Sequence, residues 1–540
     1  MFRFFILFSV TFIVSSCGTN NEQDNRKVFN YNESSGISSL DPIYTRSLEN
    51  MWAVNQLFDG LVELDSALQV VPLIAKEWEI LDSGTTYVFN LRSNVFFHTN
   101  EEFPNPRKVI ALDFVYSFNR IMDEGNASPG KWIFNKVDFN NQEGFSAPND
   151  TTFVIHLKDA FPPFLGMLSM QYCNVVPREA VEFYGKDFRS HPIGTGPFKF
   201  AFWYENIALI FHKNDSFWQK DSKGNSLPYL DAVKIDFVKD VSAEYLGLLK
   251  GSYDFISGIH NSYKDELLDP NGDLNSLYSQ ELYFQRTPFI KTDYLGILID
   301  DSLSIVKNSP LKSKLVRQAI NYGINRKEMI KYLRNNAVFD ASHGFIPKGL
   351  PSYNEGKNYG YHYDPLKAKK LLKEAGYNSN NKLPAISLST TADYVDLCEY
   401  IQHNLAEIGL EVSIDVLPSS AHREGVSKSK INFFRKSWLA DYVDAENFLG
   451  LFYSKNFCPN GPNYTHYFNP EYDQLFEQAA KEVTNEIRYN LYQKMDSLVM
   501  SDAPIIPLFY DQVSHFISND ITYFETNAVN MLNLKNTVKR

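Results

Sequence analysis

Arg435-Lys-Ser-Trp438-Leu-Ala-Asp441-Tyr442-Val-Asp444-Ala-Glu-Asn447-Phe448-Leu449 sets one carboxylate, Asp441, in a run of Trp, Tyr, Phe and Leu. Such a run favours burial, whereas a carboxylate taken out of water needs a cation or hydrogen-bond donors. The partner is either a side chain of the protein or a group that arrives with a ligand. Arg435 lies six residues before Asp441; in an extended stretch the two share a strand face about 20 Å apart. That spacing suits the two ends of a short zwitterionic chain better than a direct ion pair. Arg435 therefore reads either as a partner for a ligand carboxylate or as a structural arginine paired to a neighbouring acid. Trp438 and Tyr442 read as pocket walls or core, Trp438 more as core.

The bulk properties narrow the classes. A chain of 540 residues is long enough for several packed lobes. A hydrophobic fraction of 44% with 21% charged residues describes a globular body. The formal charge of −12 argues against a nucleic-acid partner, which calls for a basic face. Aromatics reach 15%, which favours surfaces that hold organic ligands by contact area, although most rings must serve the core. No nucleophile elbow, His-Glu-x-x-His or phosphate loop occurs, so no enzyme is expected. Asp441 and Asp444 invite a glycosidase reading, but proximity in sequence does not establish the carboxylate separation that mechanism needs. The 11 His are scattered and imply no metal or other cofactor. Apart from Cys17, the cysteines are Cys173, Cys398 and Cys458, without a Cys-x-x-Cys pair or a disulfide framework.

Residues 1–16 have the form of an export signal: Arg3, an apolar core from Phe4 to Val14, then Ser15-Ser16-Cys17. The apolar run is too short for a good membrane span. It resembles a bacterial lipoprotein signal, which makes Cys17 the lipidated first residue of the mature chain. Residues 17–27 then form a polar, flexible tether.

The element pattern indicates an α/β protein. Leu48 to Leu64 reads as a helix with Trp52, Val54, Leu57, Phe58 and Leu61 on one side. Thr151 to Leu157 and Leu230 to Val238 read as strands. Gly194-Thr-Gly196 reads as a tight turn into a strand. Residues 260–280 read as a polar surface connection. From Tyr294 onward helices and strands alternate. Asp364-Pro365 opens a helix that Gly376 ends, and strands at 385–391 and 411–417 flank a helix, which makes a βαβ unit. Helices at about 470–483 and 485–500 precede a returning strand at Pro504–Tyr510.

Several blocks in order carry a resemblance: Leu40-Asp-Pro42; Leu57-Phe-Asp-Gly-Leu-Val62; Pro72-x-x-Ala75-x-x-Trp78; Tyr87-x-Phe89-x-Leu91-Arg92; Gly194-Thr-Gly-Pro-Phe198 followed by Lys213-Asn214 and Phe217-Trp218; and the Trp438-x-Ala-Asp-Tyr block. Across nearly the whole mature chain the sequence resembles the oligopeptide- and dipeptide-binding extracytoplasmic receptors of ABC importers. The resemblance implies a two-lobed binding-protein fold with an inserted subdomain. Lobe I would comprise 28–64, 186–285 and 504–540, the insert 65–185, and lobe II 286–503. It implies that Asp441 receives the amino terminus of a peptide and that Arg435 helps neutralise its carboxylate. Thr45, Arg46 and Ser47, after the Leu-Asp-Pro turn, offer backbone to an extended ligand as an added strand. Arg46 is a second carboxylate partner or a solvated side chain. Asp444-Ala445 stands where the family often has Asp-Pro, so the loop should be less rigid. The implied protein is a monomeric, lipid-anchored receptor facing the periplasm or cell exterior, delivering peptides to an ABC permease. The alternatives are the same fold with another solute, such as an oligosaccharide or metal chelate, and a peptide-sensing or adhesion lipoprotein without transport.

Overall fold

The computed structural model describes residues 26–258, 260–378 and 381–540. The export signal, Cys17 and all but Arg26 and Lys27 of the tether lie outside the described residues.

Two long strands organise the molecule. Leu282–Ile297 and Ile505–Ser518 pair antiparallel, from Leu282 opposite Ser518 to Gly296 opposite Ile505. Half of the first strand is β-branched or aromatic, which suits extended chain. Its 16 residues reach about 50 Å, enough to cross from one lobe to the other. Beside one end lie Phe433–Leu439, Ile386–Thr390 and Val412–Val416; beside the other lie Phe255–Ser257, Val28–Asn32, Ala232–Asp236, Ala208–Lys213 and Phe198–Tyr204. With Phe339–Asp340 this makes an 11-stranded sheet.

The ladder between the two long strands slips between Pro288, opposite Gln512, and Thr292, opposite Tyr510. Pro288 has no N–H to donate, which is where an irregularity belongs. The displaced backbone finds other partners: Ile290 N donates to Ala528 O at 3.0 Å, and Ile290 O accepts from Ala440 N at 3.1 Å. The slip thus ties two distant segments to the middle of the crossing.

Buried apolar side chains divide accordingly. The largest core draws on residues 29–255 together with residues from Ile517 to Leu534. Two others lie almost wholly within 290–509. Within the first half, Ala75–Leu81, Thr86–Leu91, Thr152–His156 and Phe145–Asn149 form a separate four-stranded antiparallel sheet. Helix Ala111–Met122 covers it with Phe114, Phe118 and Ile121 on one face. In the second half, Ile386–Thr390 and Val412–Val416 pair in parallel around helix Val395–Glu407, as the βαβ reading expects. Asp364 caps helix Pro365–Glu374 through Lys367 N at 2.8 Å, and Gly376 follows with φ +93°.

Local boundaries differ from the sequence reading. The apolar run from Leu48 is helical only to Leu57; after Asp59-Gly60 the chain enters strand Val62–Leu64. The 260–280 connection contains helix Asn261–Leu267, and the returning strand runs on to Ser518. Gly194 and Gly196 are set by close approach rather than by a left-handed turn. A Cβ on Gly194 would lie 2.0 Å from Leu57 O, and Gly196 N donates to that same oxygen at 2.9 Å.

Candidate functional site

The Asp441 loop leaves strand Phe433–Leu439 and re-enters order at the short helix Glu446–Leu449. Asn447 fixes its shape. Its Oδ1 accepts from Trp438 Nε1 at 2.8 Å and from Asp441 N at 3.1 Å, while its Nδ2 donates to Asp441 Oδ2 at 3.3 Å. Asp444 supplies a second brace: buried, it pairs with buried Arg488 at 3.2 Å and accepts from Glu446 N at 2.9 Å. The absence of the Asp-Pro dipeptide is therefore offset by side-chain bonds. Tyr442 donates its hydroxyl to Glu446 Oε2 and sets its ring against Trp132 and Phe161, with centroids 6.0 and 6.4 Å away. Burial, with Asp444 adding, pushes the Glu446 carboxyl up to about 7.

This loop forms one wall of a cavity of about 320 Å³. Arg46, Leu48, Met51 and Asn55, around the start of helix Leu48–Leu57, line the same cavity. Gly166 to Gln171 and Asn527 to Asn533 contribute side walls, and Phe289 and Ile290 lie at the crossing. The C-terminal wall is held by bonds to that helix: Trp52 Nε1 donates to Asn530 O at 2.6 Å, and Asn55 Nδ2 and Gln56 Nε2 each donate to Leu532 O at 2.9 Å. His515 bonds Asn530 Oδ1 at 2.9 Å. Just beyond, Lys535 pairs with Glu63, another lining residue, at 2.7 Å. Three methionines, Met51, Met170 and Met531, face the space; their unbranched thioethers adapt to differently shaped apolar groups.

Beside the Glu63–Lys535 pair, two lining charges are unspent. Asp441 is exposed at the cavity wall. Its carboxyl sits above the ordinary carboxylate range because neighbouring atoms exclude water, with the Asn447 bond acting the other way. Arg46 is exposed and lines the same cavity. Among the described residues neither Asp441 nor Arg46 forms an ion pair. An anion, a cation and an adaptable apolar lining can together accept a small zwitterion with variable side chains.

Of the residues singled out from sequence, Asp441, Arg46 and Tyr442 meet in this cavity. Thr45 is buried and turns inward, its hydroxyl donating to Pro42 O at 2.7 Å. Ser47 precedes helix Leu48–Leu57 without a side-chain cap bond and is not a lining residue. Trp438 is half-buried and packs on one of the two cores that lie almost wholly within 290–509. Arg435 is buried and paired with Asp293, its guanidinium lying over the Tyr394 ring. Lys291 joins Asp293 at 3.3 Å and Asp511 at 2.7 Å. These partners border a separate cleft of about 730 Å³. Asn447, the methionines and the C-terminal wall were not anticipated. Asn447 had a signal in the Asn-Phe-Leu end of the quoted stretch; the C-terminal wall had none, because it is assembled by contacts more than 470 residues apart in sequence.

Among the described residues no group of three or more His, Cys, Asp or Glu is placed to hold a metal ion, and no helix is long and apolar enough to cross a membrane. Cys173, Cys398 and Cys458 are free and buried.

Comparison with known proteins adds the wider context. The family model described as "Bacterial extracellular solute-binding proteins, family 5 Middle" matches residues 69–458. The dipeptide-binding protein DppE of Bacillus subtilis (strain 168) is 27% identical over 532 residues, covering 94% of this chain and 91% of that protein. Heme-binding protein A of Haemophilus influenzae is 28% identical over 471 residues, covering 84% and 81% respectively. The unliganded open form of MppA, a periplasmic murein tripeptide binding protein, superposes with a TM-score of 0.81 at 21% identity, covering 95% of this chain and 98% of that one.

Proposed function

The chain belongs to the bacterial extracellular solute-binding proteins of family 5, and on that premise we propose that it captures short peptides between its two lobes and delivers them to an ABC permease. Relatives named for a dipeptide and for heme mean that membership alone does not select the solute. The observation that carries the peptide reading is the pairing of unspent charges. Asp441 offers a fixed anion to an α-ammonium, and Arg46 offers a cation in the same apolar space, which is large enough for a few residues. The Met-rich lining supports broad acceptance of side chains.

The lobes in this reading are 28–64, 186–285 and 504–540 for lobe I, 65–185 for the insert and 286–503 for lobe II. The change of core between Phe255 and Ile290 and the crossing strands support a boundary near 285, whereas Ile505, Ile506, Leu508 and Phe509 pack with the second-half cores and the insert shares the lobe I core. The signal-like residues 1–16 and Cys17 support an envelope location with a lipid anchor. Metabolic labelling with a fatty acid should mark the parent and leave Cys17→Ala unlabelled and releasable from membranes; a labelled variant refutes the anchor.

The solute is tested directly. Protein purified without denaturation and then unfolded should release short peptides detectable by mass spectrometry. Titration calorimetry should then show binding of those peptides and none of heme. Release and binding of a non-peptide solute alone would overturn the reading.

A further inference from the structure

Away from the ligand cavity, Cys458, His466, Asp300 and Ser429 meet in lobe II. Cys458 Sγ lies 3.4 Å from His466 Nε2, and His466 Nδ1 lies 3.0 Å from Asp300 Oδ2. Ser429 Oγ stands 3.2 Å from the sulfur and 3.1 Å from Nε2. Nε2 also lies 3.1 Å from the Cys458 carbonyl oxygen, so its proton is shared between that oxygen and the sulfur. The Phe457 ring lies parallel to the imidazole, 4.5 Å away. A nucleophile, an imidazole within hydrogen-bond reach and a carboxylate orienting the far ring nitrogen make up the arrangement that activates a thiol.

We propose that Cys458 is held as a thiolate against a protonated His466 and is a site of oxidation by hydroperoxides. The solute-binding function does not use this cluster. Asp300 fixes the ring with Nδ1–H toward the carboxylate and leaves Nε2–H facing the sulfur. Ser429 donates its hydroxyl to the sulfur as well. The groups shift consistently. The Cys458 thiol is drawn below its ordinary range by His466 and Ser429 despite burial, and His466 rises to about 9 through Cys458 and Asp300. Tyr464 also lies within electrostatic reach of the sulfur. The two remaining thiols of the described residues behave oppositely: burial pushes Cys398 up to about 11 and Cys173 further still.

The step balances. The thiolate sulfur attacks one peroxide oxygen, an S–O bond forms, and the O–O bond breaks. The departing alkoxide or hydroxide takes the Nε2 proton of His466. The products are Cys458 sulfenic acid, neutral His466 and an alcohol or water; sulfur loses two electrons and the peroxide gains them. Cys458 is buried, whereas His466, Asp300 and Ser429 are half-buried, so the cluster sits near the surface, where a reagent as small as hydrogen peroxide can enter.

The test treats the folded full-length protein with limiting hydrogen peroxide in the presence of dimedone, from pH 6 to pH 9, followed by peptide mass mapping. Cys458 should carry at least tenfold more adduct than Cys173 or Cys398 at pH 7, with a rate nearly flat from pH 7 to 9. His466→Gln and, as a milder change, Asp300→Asn should lower the rate at pH 7 at least tenfold and make it rise with pH as an ordinary thiol does. Labelling of Cys458 no faster than the other two, or a parent rate that climbs tenfold per pH unit up to 9, overturns the proposal.

Discussion

Asp441 is a carboxylate already partly desolvated by its neighbours, and a closed cleft would desolvate it further. A peptide α-ammonium enclosed with it loses its own hydration, so each charge becomes the other's replacement for solvent. A charge-assisted hydrogen bond of that kind contributes about 1.5–3 kcal/mol, and 1.4 kcal/mol is about tenfold in affinity. Asp441→Asn should therefore keep its thermal stability yet bind peptides with free amino termini at least tenfold more weakly. N-acetylated peptides should bind the parent poorly and lose little more in the variant. Calorimetric titration with free and acetylated forms of one peptide decides it; equal losses for both, or none for either, rule out the amine anchor. Asn447→Leu should behave differently. It removes the acceptor of both the Trp438 N–H and the Asp441 backbone N–H, a cost of about 1–3 kcal/mol for groups left unsatisfied. The melting temperature should fall, and both peptide forms should weaken together as the loop loses its shape. A variant with parental stability and parental binding would show that Asn447 does not set the loop.

At the scale of elements, the strand segment Ile505–Ser518 does two jobs: it crosses between lobes, and through His515 it pins the C-terminal wall. The His515 ring is buried between Phe255 and Phe524, 5.2 and 6.1 Å away, and burial pushes its pKa down to about 4, with the Asn530 bond opposing. An unfolded histidine titrates near 6.5. Between those values the unfolded chain binds a proton that the folded chain refuses. The His515 contribution is therefore full above pH 6.5 and is lost as pH falls toward 4, on the order of 3 kcal/mol in all. Urea unfolding at pH 7 and pH 4.5 should show the stability gap between the parent and His515→Gln shifting in favour of the variant at the lower pH. A gap that stays constant means the ring is not held neutral. Elements of this kind were only partly legible beforehand. The helix starting at Pro365 announces itself through Asp364, Pro365 and Gly376, and the βαβ unit through its apolar spacing, because those signals are local. The run from Leu48 looks like one helix because Leu57, Phe58 and Leu61 continue the apolar spacing, and only the Asp59-Gly60 break and the packing of Val62 against its own hairpin partner Pro72 stop it. The Asp293–Arg435 pair is 142 residues apart, and no spacing within either strand reports it.

For the whole molecule, the same reasoning explains which half of the site was readable. The Asp441 wall is one contiguous stretch, whereas the other walls come from residues near 46–64, 166–171 and 527–533, brought together only by the fold. A site built from both halves must be completed by their approach. The two halves meet mainly through the crossing strands, and the ladder there already slips between Pro288 and Thr292, where backbone turns are least opposed by regular pairing. Two contacts bracket the movement. Tyr442 rests on Trp132 and Phe161 from the first half, and Asn335 Nδ2 reaches Asp265 Oδ1 at 3.2 Å from the second half to the first. A peptide bound between Asp441 and Arg46 gains more from both charges when water is expelled, so it favours the closed arrangement by its differential affinity. Small-angle scattering of the protein, stripped of ligand by unfolding and refolding, should give a smaller radius of gyration once saturating peptide is added. Asp441→Asn should require a higher peptide concentration for the same contraction and reach the same end point, because the substitution weakens the anchor without altering the hinge. Identical profiles with and without a peptide that calorimetry shows to be bound would exclude lobe closure as the means of capture.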